Sequence, residues 1–165
     1  MTAAAALPEP AMTPTQHPFA DPEGTMLATR FGMIRMDPER LLSFPSGLPG
    51  FPGSHRFQLE RITGSPVLLL QSLDDGAVAF FVMPIPRESD LVRSADRSAT
   101  CHVLALDPDH ADYLAVVTAR QGSEGLELFA NLRAPIVIDT QRRIGTQIVL
   151  ADSSYSLRHR VLPSN

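Results

Sequence analysis

The sequence predicts an all-β fold: a small antiparallel, β-barrel-like single domain with little helix. Three observations predict it. From Thr25 onward the chain runs in short apolar stretches of period near two, the pattern of strands with one buried face. Clusters of Gly, Pro and Asp stand between those stretches where tight turns are needed. Nine candidate strands in about 125 residues is the density of a barrel or sandwich, and helical periodicity is thin throughout.

In chain order, "TMLATRFGMIRM" (25–36) opens the domain and "MDPER" turns it. "RFQLERI" (56–62) follows a Gly/Pro-rich stretch, "GLPGFPGS". "PVLLLQSL" (66–73) and "VAFFVM" (78–83) flank Asp75-Gly76, a strong turn dipeptide, and read as a β-hairpin. "PRESDLVRSADR" (86–97) is the best helix candidate, because Pro86 is suited to a first helical position. "CHVLALD" (101–107) reads as the next strand, followed by "YLAVVTAR" (113–120), "LELFANL" (126–132), "PIVID" (135–139) and "TQIVLA" (146–151).

Residues 1–24 carry five of the fifteen prolines, mixed with Ala, Thr and acids and without apolar periodicity, so they are expected to form a disordered tail ahead of a domain over 25–165. Nothing in the tail or beyond reads as a signal peptide or a membrane span, and one cysteine, Cys101, excludes an internal disulfide. These features predict a cytoplasmic protein. Three of the eighteen acids lie in the tail, leaving the rest with fourteen basic groups, all Arg, against fifteen acidic ones. Such neutrality argues against a domain built to grip nucleic acid.

Candidate catalytic sites fail on spacing. The Gly-x-x-Gly pattern in "FPSGLPGFPGSHRF" cannot cradle phosphate well, because Pro49 and Pro52 have no N–H to offer and no Lys-Ser/Thr pair follows. A tight surface turn explains it, with Leu48 and Phe51 either folded back onto the core or left exposed for a partner. Asp74 and Asp75 lack a third carboxylate at metal-ligand spacing, and turn chemistry accounts for both. Cys101 and His102 are adjacent, so in a strand they would face opposite sides and could not act as nucleophile and base. The five histidines show no metal spacing, and no cofactor is expected. Arg142, Arg143, Arg158, His159 and Arg160 could form a basic edge, which supports an alternative reading as an RNA-binding β-barrel. In "ANLRAPIVID" (130–139), Pro135 marks an edge, a bulge or a strand start. Asn131 could there bond local backbone, or the stretch could present a docking edge.

Taken together, "FPSGLPGF" (44–51), "LLLQSLDDGAVAFFVMP" (68–84), "VVT" (116–118), "ANLRAPIVID", "RIGTQIVL" (143–150), Tyr155 and Arg158 resemble the flagellar assembly factor FliW family, in family order across about 120 residues. The resemblance implies a compact β-barrel without catalytic activity or cofactor. It implies a cytoplasmic protein that binds newly made flagellin as a chaperone and also binds CsrA, the small RNA-binding repressor of flagellin translation. Flagellin export would free the factor to take CsrA off the flagellin message, with no direct nucleic-acid or membrane contact of its own. Motif positions carried over as partner-binding candidates are Leu48, Pro49, Gly50, Phe51, Gln71, Asp74, Asp75, Asn131, Leu132, Arg133 and Pro135. The chain departs from the family pattern in its 24-residue tail, in Phe129 where small polar residues usually precede "ANL", and in Gly76 where Pro is common.

Overall fold

The computed structural model describes residues 24–161; all of the expected tail except Gly24, and the last four residues, lie outside them. The first apolar run folds on itself as the hairpin β1 (Met26–Thr29) and β2 (Gly32–Arg35). Seven strands then close into a barrel: β3 (Leu41–Ser43), β4 (Arg56–Arg61), β5 (Leu68–Ser72), β6 (Ala79–Pro84), β7 (Ala111–Gly122), β8 (Gly125–Asp139) and β9 (Ile144–Gln147). Neighbours from β3 to β9 pair antiparallel in sequence order. A short parallel contact, Ser43 opposite Ile144, closes the ring, with the Ser43 N–H donating to the Arg143 carbonyl at 2.9 Å. A tenth strand, β10 (His159–Val161), extends the sheet beside the first half of β8.

Two Asp-Pro dipeptides punctuate the barrel. Asp37 and Asp107 each cap a short 3₁₀ turn, accepting the N–H two residues on at 2.9 and 3.0 Å, and each turn feeds a strand, β3 and β7. Period-two alternation sends one set of side chains inward and the other outward. The inward set, including Leu42, Phe44, Phe57, Leu70, Val82, Leu114, Ile136 and Ile138, fills the barrel. The outward set on β7 and β8, with Tyr113, Ala115, Val117, Ala130, Leu132 and Val137, forms a second core. That core is covered by the helix α1 (Ser94–Leu104) and by the C-terminal segment around Leu150 and Tyr155.

The structure corrects three expectations. "CHVLALD" is not a strand: its first four residues are the last turn of α1, which presents Cys101 to the outer core and leaves His102 exposed. The helix spans 94–104 and not 86–97, because Pro86 opens a turn closed by Ser89 and Arg93 is still extended. Ala105 ends the helix in the left-handed region at φ 50°. Short apolar runs fit period 2 and period 3.6 about equally, which is the physical reason for the misreading. "LELFANL" and "PIVID" are one strand, β8, interrupted by a bulge. The three-residue strands β3 and β10 are too short to show a period, and pairing alone creates them.

Candidate functional site

The stretch from Phe44 to Ser54 plugs one end of the barrel. Leu48-Pro49-Gly50-Phe51 reverses the chain with the Phe51 N–H donating to the Leu48 carbonyl at 2.8 Å, and Gly50 takes φ +85°, the signature of a type II turn. Gly47 is required by close approach: a Cβ there would meet the Phe51 carbonyl oxygen at 2.6 Å. The turn divides its two apolar residues. Leu48 is 3% exposed and joins the barrel interior, whereas Phe51 is 38% exposed and stacks edge-on against Phe80 at 5.2 Å. Pro49 and Gly50 are exposed at the tip.

Gln71, Asp74 and Asp75 shape the adjoining β5–β6 loop. Gln71 is fully buried and its amide donates to the carbonyls of Ser72, Gly76 and Val78 at 2.9, 3.3 and 3.0 Å. Asp74 accepts the N–H groups of His55 and Arg56 and the Arg56 Nε at 2.7 to 2.8 Å, pinning the loop to the start of β4. Partial burial would raise its pKa, but the hydrogen bonds from Arg56 and His55 outweigh that and lower it. Asp75 caps the reversal through the Ala77 N–H at 2.9 Å. The Val78 N–H closes a turn on the Asp75 carbonyl at 3.0 Å, and the whole connection from Ser72 to Ala79 is longer than a two-residue hairpin loop. Gly76 abuts the β1–β2 hairpin so closely that a Cβ would lie 2.1 Å from the Ala28 carbonyl oxygen, so a side chain at 76 requires that hairpin to move off.

The ANLRAP stretch is the bulge in β8. Leu114 faces Ile136 and Val116 faces Asn131, so Ala115 alone stands opposite Leu132, Arg133, Ala134 and Pro135. Asn131 Oδ1 closes the bulge by accepting the N–H groups of Arg133 and Ala134, each at 3.1 Å. Freed from β7, the bulged backbone holds the C-terminal segment: Leu132 N–H bonds Ser156, and the carbonyls of Arg133 and Pro135 accept from Leu150 and Ile148. Leu132 and Pro135 are buried. Arg133 is half-buried, with its Nε lacking a partner.

The arginines of the C-terminal third do not form one patch. Arg142 and Arg143 lie beyond the end of β8, where Arg142 approaches Asp139 at 3.7 Å and Arg143 donates to the Pro38 carbonyl at 3.2 Å. Arg158 stacks over Phe129 at 4.8 Å and Arg160 pairs with Glu127 at 2.7 Å, beside the first half of β8. Phe129 is therefore covered by Arg158. Tyr155 donates to Asp96 Oδ2 at 2.5 Å and accepts the Arg93 N–H at 3.0 Å, and Arg93 also pairs with Asp152. This network ties the start of α1 to the C-terminal segment. Hydrogen bonds from Tyr155 and Arg93 lower the Asp96 pKa, and those from Ser154 and Arg93 bring Asp152 down to about 2. Among the described residues no group of three His, Cys, Asp or Glu side chains could hold a metal, and no helix is long and apolar enough to cross a membrane.

The family model described as "FliW protein" matches residues 25–161. A flagellar assembly factor FliW from Anoxybacillus flavithermus is 32% identical over 132 residues, covering 80% of this chain and 90% of the relative. Another, from Syntrophus aciditrophicus, is 35% identical over 136 residues, covering 81% and 85%. A solved crystal structure of the flagellar assembly factor FliW superposes with a TM-score of 0.67 at 25% identity, covering 85% of this chain and 99% of that one.

Proposed function

The chain belongs to the FliW family, and from that premise we propose that it is a cytoplasmic flagellar assembly factor that works by binding, without catalysis. It holds newly made flagellin; once flagellin is exported, it binds CsrA and relieves repression of flagellin mRNA translation. The observation that carries this reading is that the family match spans 25–161, the whole barrel with its outer core and C-terminal segment. The likeness is therefore to an entire fold and not to a borrowed module. Of the motif positions, Phe51 with Pro49 and Gly50 at the plug tip offers the exposed apolar contact, and Arg133 with Asp75 offers polar contacts at the bulge and loop. Leu48, Gln71, Leu132 and Pro135 are internal and act by shaping those surfaces. The RNA-binding alternative loses its geometric basis, because the arginines it needs sit at opposite ends of β8.

A switch between two partners requires negative coupling, and linkage makes that coupling reciprocal. Titrating flagellin into a preformed complex of this protein with CsrA is the direct test. Release of CsrA is the expected result; a stable ternary complex with full affinity for both partners would refute the switch.

A further inference from the structure

The β1–β2 hairpin lies over the outward face of β4, β5 and β6, and it is fastened unevenly. Its base is clamped: Gln58, on β4, accepts the Asp37 N–H through Oε1 at 2.8 Å and donates to the Arg35 carbonyl at 2.9 Å. Gln58 is buried, as is Met36 between the two clamped groups. The tip is held by less. The Arg30 N–H reaches the Gly76 carbonyl at 3.2 Å, and Phe31 meets Phe81 edge-on at 5.7 Å, with both rings exposed to solvent.

Little apolar surface is committed to this seat. Leu27 and Ile34 form the half-buried side of the hairpin, and among the described residues neither core takes in a side chain from 24–36. Between the Gln58 clamp and the Gly76 contact, on the same outward face, lies Gln71, the cross-strand neighbour of Gln58. It is buried, and its Oε1 has no hydrogen-bond partner. A buried acceptor left unpaired opposes the closed arrangement, because water meets it once the cover lifts. Gly76 admits the hairpin because it has no Cβ, which would lie 2.1 Å from the Ala28 carbonyl oxygen. A two-stranded hairpin of four-residue strands is marginal by itself, so off the barrel it does not hold its own pairing.

We propose that β1–β2 is a flap that opens as a unit while the barrel stays folded, hinged at the Gln58 clamp and seated on Gly76. Opening bares the outward face of β4 to β6, with the Gln71 side chain and Phe81, and breaks no contact of either core. The Gly76 carbonyl keeps its bond from the Gln71 amide at 3.3 Å, so opening strands no acceptor there. Gly76 belongs to the loop that Asp74 pins to β4, and the position of that loop therefore sets the closure of the flap.

Hydrogen exchange of the full chain, followed segment by segment in rising sub-denaturing urea, is the test. Amides in 26–35 should exchange about tenfold or more faster than those of β5 and β6, at rates nearly independent of urea, because flap opening exposes little surface and global unfolding exposes much. Gly76→Ala puts a Cβ into the seat, and Phe31→Ala removes the aromatic contact at the tip. Each should speed exchange in 26–35 by a further factor of about five or more, while β5 and β6 change by less than about twofold. Exchange in 26–35 that matches β5 and β6 in rate and urea dependence overturns the flap. A folded Gly76→Ala chain with wild-type exchange in 26–35 overturns it too; should that variant fail to fold, wild-type exchange in Phe31→Ala has the same force.

Discussion

Replacing Asn131 by Ala isolates the one side chain that closes the β8 bulge. Its Oδ1 accepts two backbone N–H groups at 3.1 Å each, and both bonds are partly buried. A typical intramolecular hydrogen bond contributes about 0.5–1.5 kcal/mol net, and a buried N–H left without an acceptor costs somewhat more. Two such losses give about 2–3 kcal/mol, a large share of a total stability of roughly 5–15 kcal/mol. The bulge also positions the carbonyls that hold Ile148 and Leu150, so its loosening frees part of the cover over the outer core. Urea denaturation followed by far-UV circular dichroism suits a chain without tryptophan. With a slope of about 2 kcal/mol per molar, the midpoint should fall by about 1 M at unchanged slope. Asn131→Asp keeps the acceptor and should recover most of the loss. An Ala variant within about 0.5 kcal/mol of wild type would refute the structural role assigned to Asn131.

Three further outcomes follow from the same geometry. Gly145→Ala places a Cβ within 2.2 Å of the Phe44 ring, which is fully buried against Phe57, so thermal melts should show a loss of about 1–3 kcal/mol; wild-type stability would mean that the ring can give way. Leu48→Ala should cost about 2–4 kcal/mol of stability, whereas Phe51→Ala should leave the fold largely intact and weaken flagellin or CsrA binding by about 1–3 kcal/mol, and the reverse ordering would contradict the division of labour at the plug. Asp96 and Asp152 have lowered pKa values in the folded state, so their contribution is present above the ordinary carboxylate range and lost as pH falls toward about 2. Melting temperature should drop between about pH 4 and 2, and Asp152→Asn should flatten that drop; an unchanged acid limb would show the network to be inert.

The sheet was legible because period-two patterning is a direct consequence of strand geometry, and six of the barrel strands have enough residues to display it. Helix α1 was not, because its apolar residues Cys101 and Leu104 lie in a run that alternates as well as it winds. Strands β3 and β10 were not, because three residues carry no period and their existence depends on partners far along the chain.

The candidate site was legible in a different sense. Leu48, Gln71, Asp74, Asn131 and Pro135 stand in the stretches that carry the family resemblance, and each has work to do inside the fold. Leu48 fills the plug, Gln71 braces a loop, Asp74 pins β4, Asn131 closes the bulge and Pro135 is seated in the interior. Motif residues of this kind specify a surface without being it. A buried polar side chain has few alternatives, since its hydrogen bonds must be met within the fold, and so it leaves a sharp mark in sequence. An exposed side chain such as Phe51 is constrained less by the fold, and its type alone does not distinguish it from any other surface side chain. What singles out Arg143 is its backbone conformation, left-handed at φ 56°. That is a property of the folded barrel, visible in the structure and silent in the sequence.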